Sequence, residues 1–230
     1  MSSSVEEITG NESSAEPSPR MRSTPEIGRA IRELPRREFV GFSGGLGSGA
    51  ALQIPLSRIP SSVVVSAMLG ALEPAPSDHL LEVGTGTGYS TAIVAKLTEQ
   101  VDTVDLLAAR AGRAREVLRT LGIGNVTCHV GDGLEGLESA APFDAILVST
   151  MVDEVPERLV DQLAEGGRMS LPLRTTRRRA RLVRVRRTGA DATRREVLGT
   201  VDMDSRLGDL LVDFDVLPGL YVERVAGRAQ

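Results

Sequence analysis

The chain reads as an α/β protein built on a doubly wound, mostly parallel sheet, with an antiparallel hairpin at its C-terminal end. Three observations predict this. Short apolar strands alternate with helical segments from about residue 79 to 173. The first of these strands runs into a glycine-rich turn, Gly84-Thr85-Gly86-Thr87-Gly88, that opens a helix. After Pro172 the pattern changes to alternating charged and apolar residues, as in Arg181-Leu182-Val183-Arg184-Val185-Arg186-Arg187.

Taken in order, residues 1–22 are rich in Ser, Glu and Pro, and are expected to form a disordered tail. Residues 23–76 form an N-terminal segment of helices and loops. Ser23-Thr24-Pro25-Glu26 suits a helix start, with a serine cap and an early proline. Ile27, Ala30, Ile31 and Leu34 follow at helical spacing, and Pro35 stops them. Gly41 to Gly49 reads as a flexible connector. Ser62 to Leu72 is apolar and helical, and is ended by Pro74 and Pro76.

The core, 77–173, then alternates. Strand 79–83 leads to helix 88–98, strand 101–105 to helix 108–121, and strand 126–130 to strand 144–149. Helix 156–164 and strand 168–173 follow. Residues 174–230 hold the hairpin, whose second strand is Arg194 to Met203 beyond a Gly189-Ala190-Asp191 turn. They end in an apolar stretch, Leu207 to Val225, open between strand and helix.

Composition excludes several function classes. The 230 residues carry a net charge of −4, with no global signature of a nucleic-acid or anionic-membrane partner. Lys96 is the only lysine among 27 basic residues, so arginine fills generic surface positions too. The single cysteine, Cys128, lies in an apparent buried strand and excludes an internal disulfide. With two histidines, His79 and His129, both in predicted strands, no metal site is expected. The absence of a long apolar run and the acidic, serine-rich N-terminus point to a cytoplasmic protein.

In an open α/β sheet, ligands bind beyond the carboxyl ends of the strands. Four such ends carry informative residues. Glu82 precedes glycines spaced G-x-G-x-G, with Tyr89 where a dinucleotide loop would place its third glycine. This pattern suits S-adenosylmethionine, a cofactor without phosphate, with Glu82 expected to meet its ammonium group. Asp105 is placed to accept from ribose hydroxyls. Asp132, between Gly131 and Gly133, can reach an adenine amino group. Ser149 ends the fourth strand. The candidate cofactor contacts are therefore Glu82, Gly84, Thr85, Gly86, Gly88, Asp105, Leu106, Asp132, Gly133 and Ser149.

These blocks, with their neighbours, resemble the protein-L-isoaspartate O-methyltransferases. Leu34 to Val40 (LPRREFV) resembles that family's VPRExFV, and Leu81 to Tyr89 (LEVGTGTGY) its LEIGTGSGY. Gly131-Asp132-Gly133 resembles GDG, Ala141 to Val148 (APFDAILV) resembles APFDAIIV, and Glu154-Val155-Pro156 resembles EIP. The resemblance runs from about Ile27 to Pro172. It implies a class I S-adenosylmethionine-dependent methyltransferase that esterifies an isoaspartyl or aspartyl carboxylate of a peptide or protein.

Two family blocks are missing. Where the family has TISQP this chain has Arg58-Ile59-Pro60-Ser61-Ser62, so Pro60 falls on the serine said to lie at the substrate carboxylate. The family's FVPL is replaced by Val201-Asp202-Met203-Asp204. Ser61, with Ser57 and Ser62 as alternatives, is the candidate to orient the acceptor. The competing reading of Ser61 is a helix cap. Altered substrate-facing blocks beside retained cofactor-facing ones suggest a different acceptor, such as a peptide natural product. A small-molecule methyltransferase and a catalytically silent cofactor-binding module are the alternatives. Arg174 to Arg187 reads either as a solvated strand face or as a dock for an acidic peptide.

Overall fold

The computed structural model describes residues 24–40, 61–189 and 192–203. The expected tail, the Gly41–Gly49 connector, Ser57 and the Leu207–Val225 stretch lie outside the described residues. In chain order the elements are α1 (Pro25–Glu33), a 3₁₀ turn (Arg36–Phe39), α2 (Ser62–Leu72), β1 (His79–Val83) and α3 (Tyr89–Ala95). They continue with β2 (Gln100–Asp105), α4 (Ala108–Thr120), β3 (Val126–Val130), a second 3₁₀ turn (Gly133–Glu135), β4 (Phe143–Val148) and α5 (Glu157–Asp161). The chain then forms β5 (Leu163–Arg174), β6 (Arg179–Gly189) and β7 (Ala192–Asp202).

One seven-stranded sheet has the order β3-β2-β1-β4-β5-β6-β7. β1 to β5 pair in parallel, and β6 and β7 are antiparallel additions. Strand order reverses between β1 and β4, which opens a crevice at their carboxyl ends.

Local details depart from expectation, and three of the departures have a visible cause. Thr24, rather than Ser23, caps α1, its Oγ1 accepting from the Ile27 amide at 3.4 Å. The glycine turn ends with Gly88 as a left-handed cap, so α3 starts at Tyr89. The helix expected over 156–164 stops at Asp161, because Leu163 pairs with Phe143 and already belongs to β5.

Packing on the two faces is unequal. α1, α2, α3 and α4 share one apolar cluster with Leu80, Val101, Cys128, Ala145 and Leu147. The other face gathers Leu81, Val104, Ile146, Val148 and Met169, and α5 is the one α-helix over it among the described residues. α2 is apolar all round and buried from Val64 to Leu72, as expected of a helix inside a core.

Its direction is set by an ionic clamp. Arg168 bonds Asp78 in bidentate fashion and also donates to the carbonyls of Leu72, Glu73 and Asp144. Glu73, left-handed at φ 55, places its carboxylate between Arg184 and Arg186. These contacts hold the C-terminus of α2 at the start of β4 and β5. Eleven residues rise about 16 Å, so the amino end of α2 projects toward the strands' carboxyl ends.

Both histidines of the chain converge on one residue. Asp102 on β2 accepts from Nε2 of His79 at 2.7 Å and of His129 at 2.6 Å. Each lies on a strand next to β2, and Asp102 is in register with Leu81, on the sparsely covered face. Burial pushes the Asp102 carboxyl up, but the two imidazoles outweigh it and hold it below the ordinary range. A depressed carboxyl contributes stability above its unfolded pKa, about 3.9, and loses it as pH falls through the folded value. Asp102→Asn should therefore remove a component of acid destabilisation below about pH 4. Urea titrations at pH 6 and pH 3 check this. An unchanged difference between the two pH values would contradict it.

Candidate functional site

The glycine turn is the centre of the crevice. Gly84, Gly86 and Gly88 have φ of 95°, 55° and 82°, values that favour residues without a Cβ. The Gly84 amide donates to the Val104 carbonyl at 2.8 Å, carrying the turn over the end of β2. There Asp105 holds it. Its Oδ2 accepts from the Gly86 amide and its Oδ1 from the Leu107 amide, both at 2.9 Å. Each carboxylate oxygen keeps another lone pair for an incoming hydroxyl.

The other strand ends close on the same turn. The Ser149 amide donates to the Val83 carbonyl at 2.8 Å. Asp132 caps the second 3₁₀ turn through the Leu134 amide at 3.0 Å. Gly133 approaches β1 so closely that a Cβ there would lie 2.6 Å from Val83 Cγ1. The sequence-nominated residues of all four strand ends are thus brought together.

Glu82 departs from expectation. It does not stand in the crevice to meet a ligand's ammonium group, because its side chain is fully buried. Its Oε1 accepts from Ser90 at 2.5 Å and Ser149 at 3.2 Å, and its Oε2 from Thr91 at 2.5 Å and Thr103 at 2.9 Å. Desolvation pushes the Glu82 carboxyl up, and the four hydroxyls oppose that shift. Thr85 is likewise buried, its hydroxyl bonded to that of Thr103 at 2.7 Å. Glu82 and Thr85 shape the turn from beneath.

Sequence reasoning missed Ser90, Thr91 and Thr103. Their one signal is polar side chains in the first turn of a buried helix and inside a buried strand. It named Tyr89 without its contact: the ring meets Phe39 edge-on with centroids 5.3 Å apart. That contact joins the Arg36–Phe39 turn to the start of α3. Burial pushes the Tyr89 phenol up to about 12, so it stays neutral.

The rim is apolar. Leu106, Leu107, Val130 and Leu134 are exposed at the ends of β2 and β3 and at the Asp132 turn. Exposed apolar groups concentrated at a cleft mark a ligand surface. Beside Asp105, this edge suits a flat ring attached to a hydroxyl-bearing group.

At the amino end of α2 Ser61 is the cap, its Oγ accepting from the Val64 amide at 3.2 Å. Ser62 is the first residue of that helix and is half-buried. No metal-competent group of His, Cys, Asp and Glu occurs among the described residues. No helix among them is long and apolar enough to cross a membrane.

A family model described as protein-L-isoaspartate(D-aspartate) O-methyltransferase matches residues 15–202. The chain belongs to that family. It is 41% identical over 172 residues to the protein-L-isoaspartate O-methyltransferase of Roseiflexus castenholzii (strain DSM 13941 / HLO8), covering 74% of this chain and 78% of that one. It is 44% identical over 147 residues to the Koribacter versatilis (strain Ellin345) protein of the same name, covering 63% and 66%. Among solved structures, a protein-L-isoaspartate O-methyltransferase aligns with TM-score 0.59 and 26% identity, over 72% of this chain and 56% of that one. A protein from Plasmodium falciparum, described as a protein-L-isoaspartate O-methyltransferase in complex with S-adenosyl-L-homocysteine, aligns at 0.55 and 18% identity, over 78% and 90%. The latter likeness concerns the fold. The architecture is that of class I S-adenosylmethionine-dependent methyltransferases, with C-terminal antiparallel strands.

The burial of Glu82 has a measurable consequence in the ligand-free protein. Glu82→Ala would deprive four hydroxyls of their acceptor, each orphaned group costing about 1–3 kcal/mol. A large fall in the thermal midpoint of the ligand-free protein is expected. A carboxylate serving only to bind a ligand would leave that midpoint nearly unchanged.

Proposed function

We propose that this S-adenosylmethionine-dependent methyltransferase esterifies a carboxylate of isoaspartyl or aspartyl type in a peptide or protein. The observation that carries the reading is the family match over residues 15–202, which takes in both the glycine turn and the α2 segment. Two changed blocks, at Arg58 to Ser62 and Val201 to Asp204, favour a particular acceptor, such as a peptide natural product, over general repair. A cytoplasmic setting fits such substrates.

Bound S-adenosylmethionine supplies an electrophilic methyl group on sulfur. In our reading Gly84, Gly86 and Gly88 bring backbone close to that cofactor, and Asp105 accepts from its ribose hydroxyls. Asp132 and Gly133, with Leu106, frame its ring, and Ser149 lines the neighbouring strand end. Glu82 and Thr85 act through the turn they support. No general base is required, because a carboxylate is ionised at neutral pH. The contribution left to the protein is positioning in a site shielded from water.

Ser61 is the candidate for that positioning. Its oxygen already accepts from Val64, which leaves the hydroxyl proton to donate toward an acceptor at the amino end of α2.

Labelled S-adenosylmethionine offered with isoaspartyl peptide, aspartyl peptide and small carboxylic acids tests the assignment. The expected product is a base-labile peptide label released as methanol. Label in a base-stable bond, or in small acids alone, would overturn it. In the same assay Ser61→Ala should lower kcat on the accepted peptide and destabilise the fold by about 1 kcal/mol through loss of the cap. Unchanged turnover would remove Ser61 from the mechanism.

A further inference from the structure

The arginines of β5 and β6 divide into two groups. Those toward the amino ends of the parallel strands are occupied within the fold. Arg184 bonds Glu73 and Glu196, and Arg186 bonds Glu73. Arg187 donates to the carbonyls of Asp161 and Leu163. On β7, Arg195 pairs with Glu157.

The second group sits at the opposite end. β5 runs parallel to β4 and finishes at Arg174, so the turn joining it to β6 lies at the carboxyl ends of the parallel strands, the edge that carries Ser149. The segment after β4 is bound to this end of β5. The Val152 amide donates to the Pro172 carbonyl at 3.1 Å, and the Arg174 amide to the Val152 carbonyl at 2.8 Å. Arg174 itself is taken by Asp153 at 2.7 Å. Arg177, Arg179 and Arg181 are exposed, and none is engaged by a carboxylate among the described residues. Asp202 stands opposite Arg179 in the β6–β7 register, so one carboxylate lies beside these arginines.

Arg181 pairs with Leu173 on β5, and β5 pairs with β4, so Arg181 lies about two strand spacings, roughly 10 Å, from the line of β4. An extended peptide covers about 3.3 Å per residue. Guanidinium groups bind carboxylates in bidentate fashion, which a cluster of three repeats along a short path.

Resting on the carboxylate-methylating reading above, we propose that Arg177, Arg179 and Arg181 dock acidic side chains of the peptide acceptor, on a flank that leaves the crevice across the carboxyl edge of β5. The surface selects among peptides by their flanking charge, separately from the chemistry at the crevice.

Fluorescence anisotropy on the full chain, saturated with S-adenosylhomocysteine, tests this without requiring turnover. One labelled isoaspartyl peptide carries glutamates at the flanking positions, and its counterpart carries glutamines. The glutamate peptide is expected to bind on the order of tenfold more tightly at about 50 mM salt, with the advantage shrinking at about 300 mM. Combined Arg177→Gln, Arg179→Gln and Arg181→Gln should erase the advantage while calorimetry shows unchanged S-adenosylhomocysteine affinity. Equal binding of the two peptides, or an advantage that survives the triple substitution, would overturn the proposal. So would an oligonucleotide of equal charge binding as tightly as the glutamate peptide. If the preference holds but neither peptide is methylated, the docking surface stands and the assigned activity fails.

Discussion

Glu82 places a carboxylate where water does not reach, at the end of the central strand β1, and the ligand-facing edge is arranged around it. Four hydroxyls make its burial tolerable: Ser90 and Thr91 from α3, Thr103 from β2, and Ser149 just past β4. A buried acceptor with four donors ties three strand ends and a helix start into one unit. Such a network rigidifies when every member is satisfied and is costly when one is missing. The glycine turn lies on this base and is held from the β2 side by Asp105 through the Gly86 amide. Neither group can shift without moving the turn, so the shape offered to a ligand exists before any ligand arrives.

A second polar assembly orients α2 on the sheet. Arg168, Asp78, Glu73 and Arg184 gather the end of α2 onto β4, β5 and β6. Buried ion pairs are weak evidence for net stability, since desolvation offsets much of their attraction. Here their effect is directional. An apolar helix could slide along an apolar sheet, whereas a helix whose last carbonyls are bound by one arginine cannot. Ser61, at the other end of α2, inherits its place from that clamp. The Phe39–Tyr89 contact adds a link from the N-terminal segment to the helix that the glycine turn opens.

Much of the candidate site was legible in the chain because its placement obeys local rules. Gly84, Gly86, Asp105, Asp132 and Ser149 each sit where an apolar run ends, and strand ends are where open sheets place ligands. Ser61 as a cap was readable too, from its position before an apolar helix. What could not be read were partners far apart in sequence. His79 and His129 looked like isolated strand residues, yet both meet Asp102, because β1 and β3 flank β2. Arg168 gave no sign of its contact with Asp78, ninety positions earlier.

By itself, then, the sequence determined the α/β alternation, the glycine turn suited to a phosphate-free cofactor, and the resemblance to a methyltransferase family. These follow from side-chain periodicity and from backbone needs that act within a few residues. Only the tertiary structure decided that Glu82 faces inward, that α2 points its capped end at the crevice, and that the arginines split into engaged and exposed groups. Those outcomes depend on which strands are neighbours. A charge is stabilised or left exposed by what packs beside it, and strand order brings together residues that the sequence keeps apart.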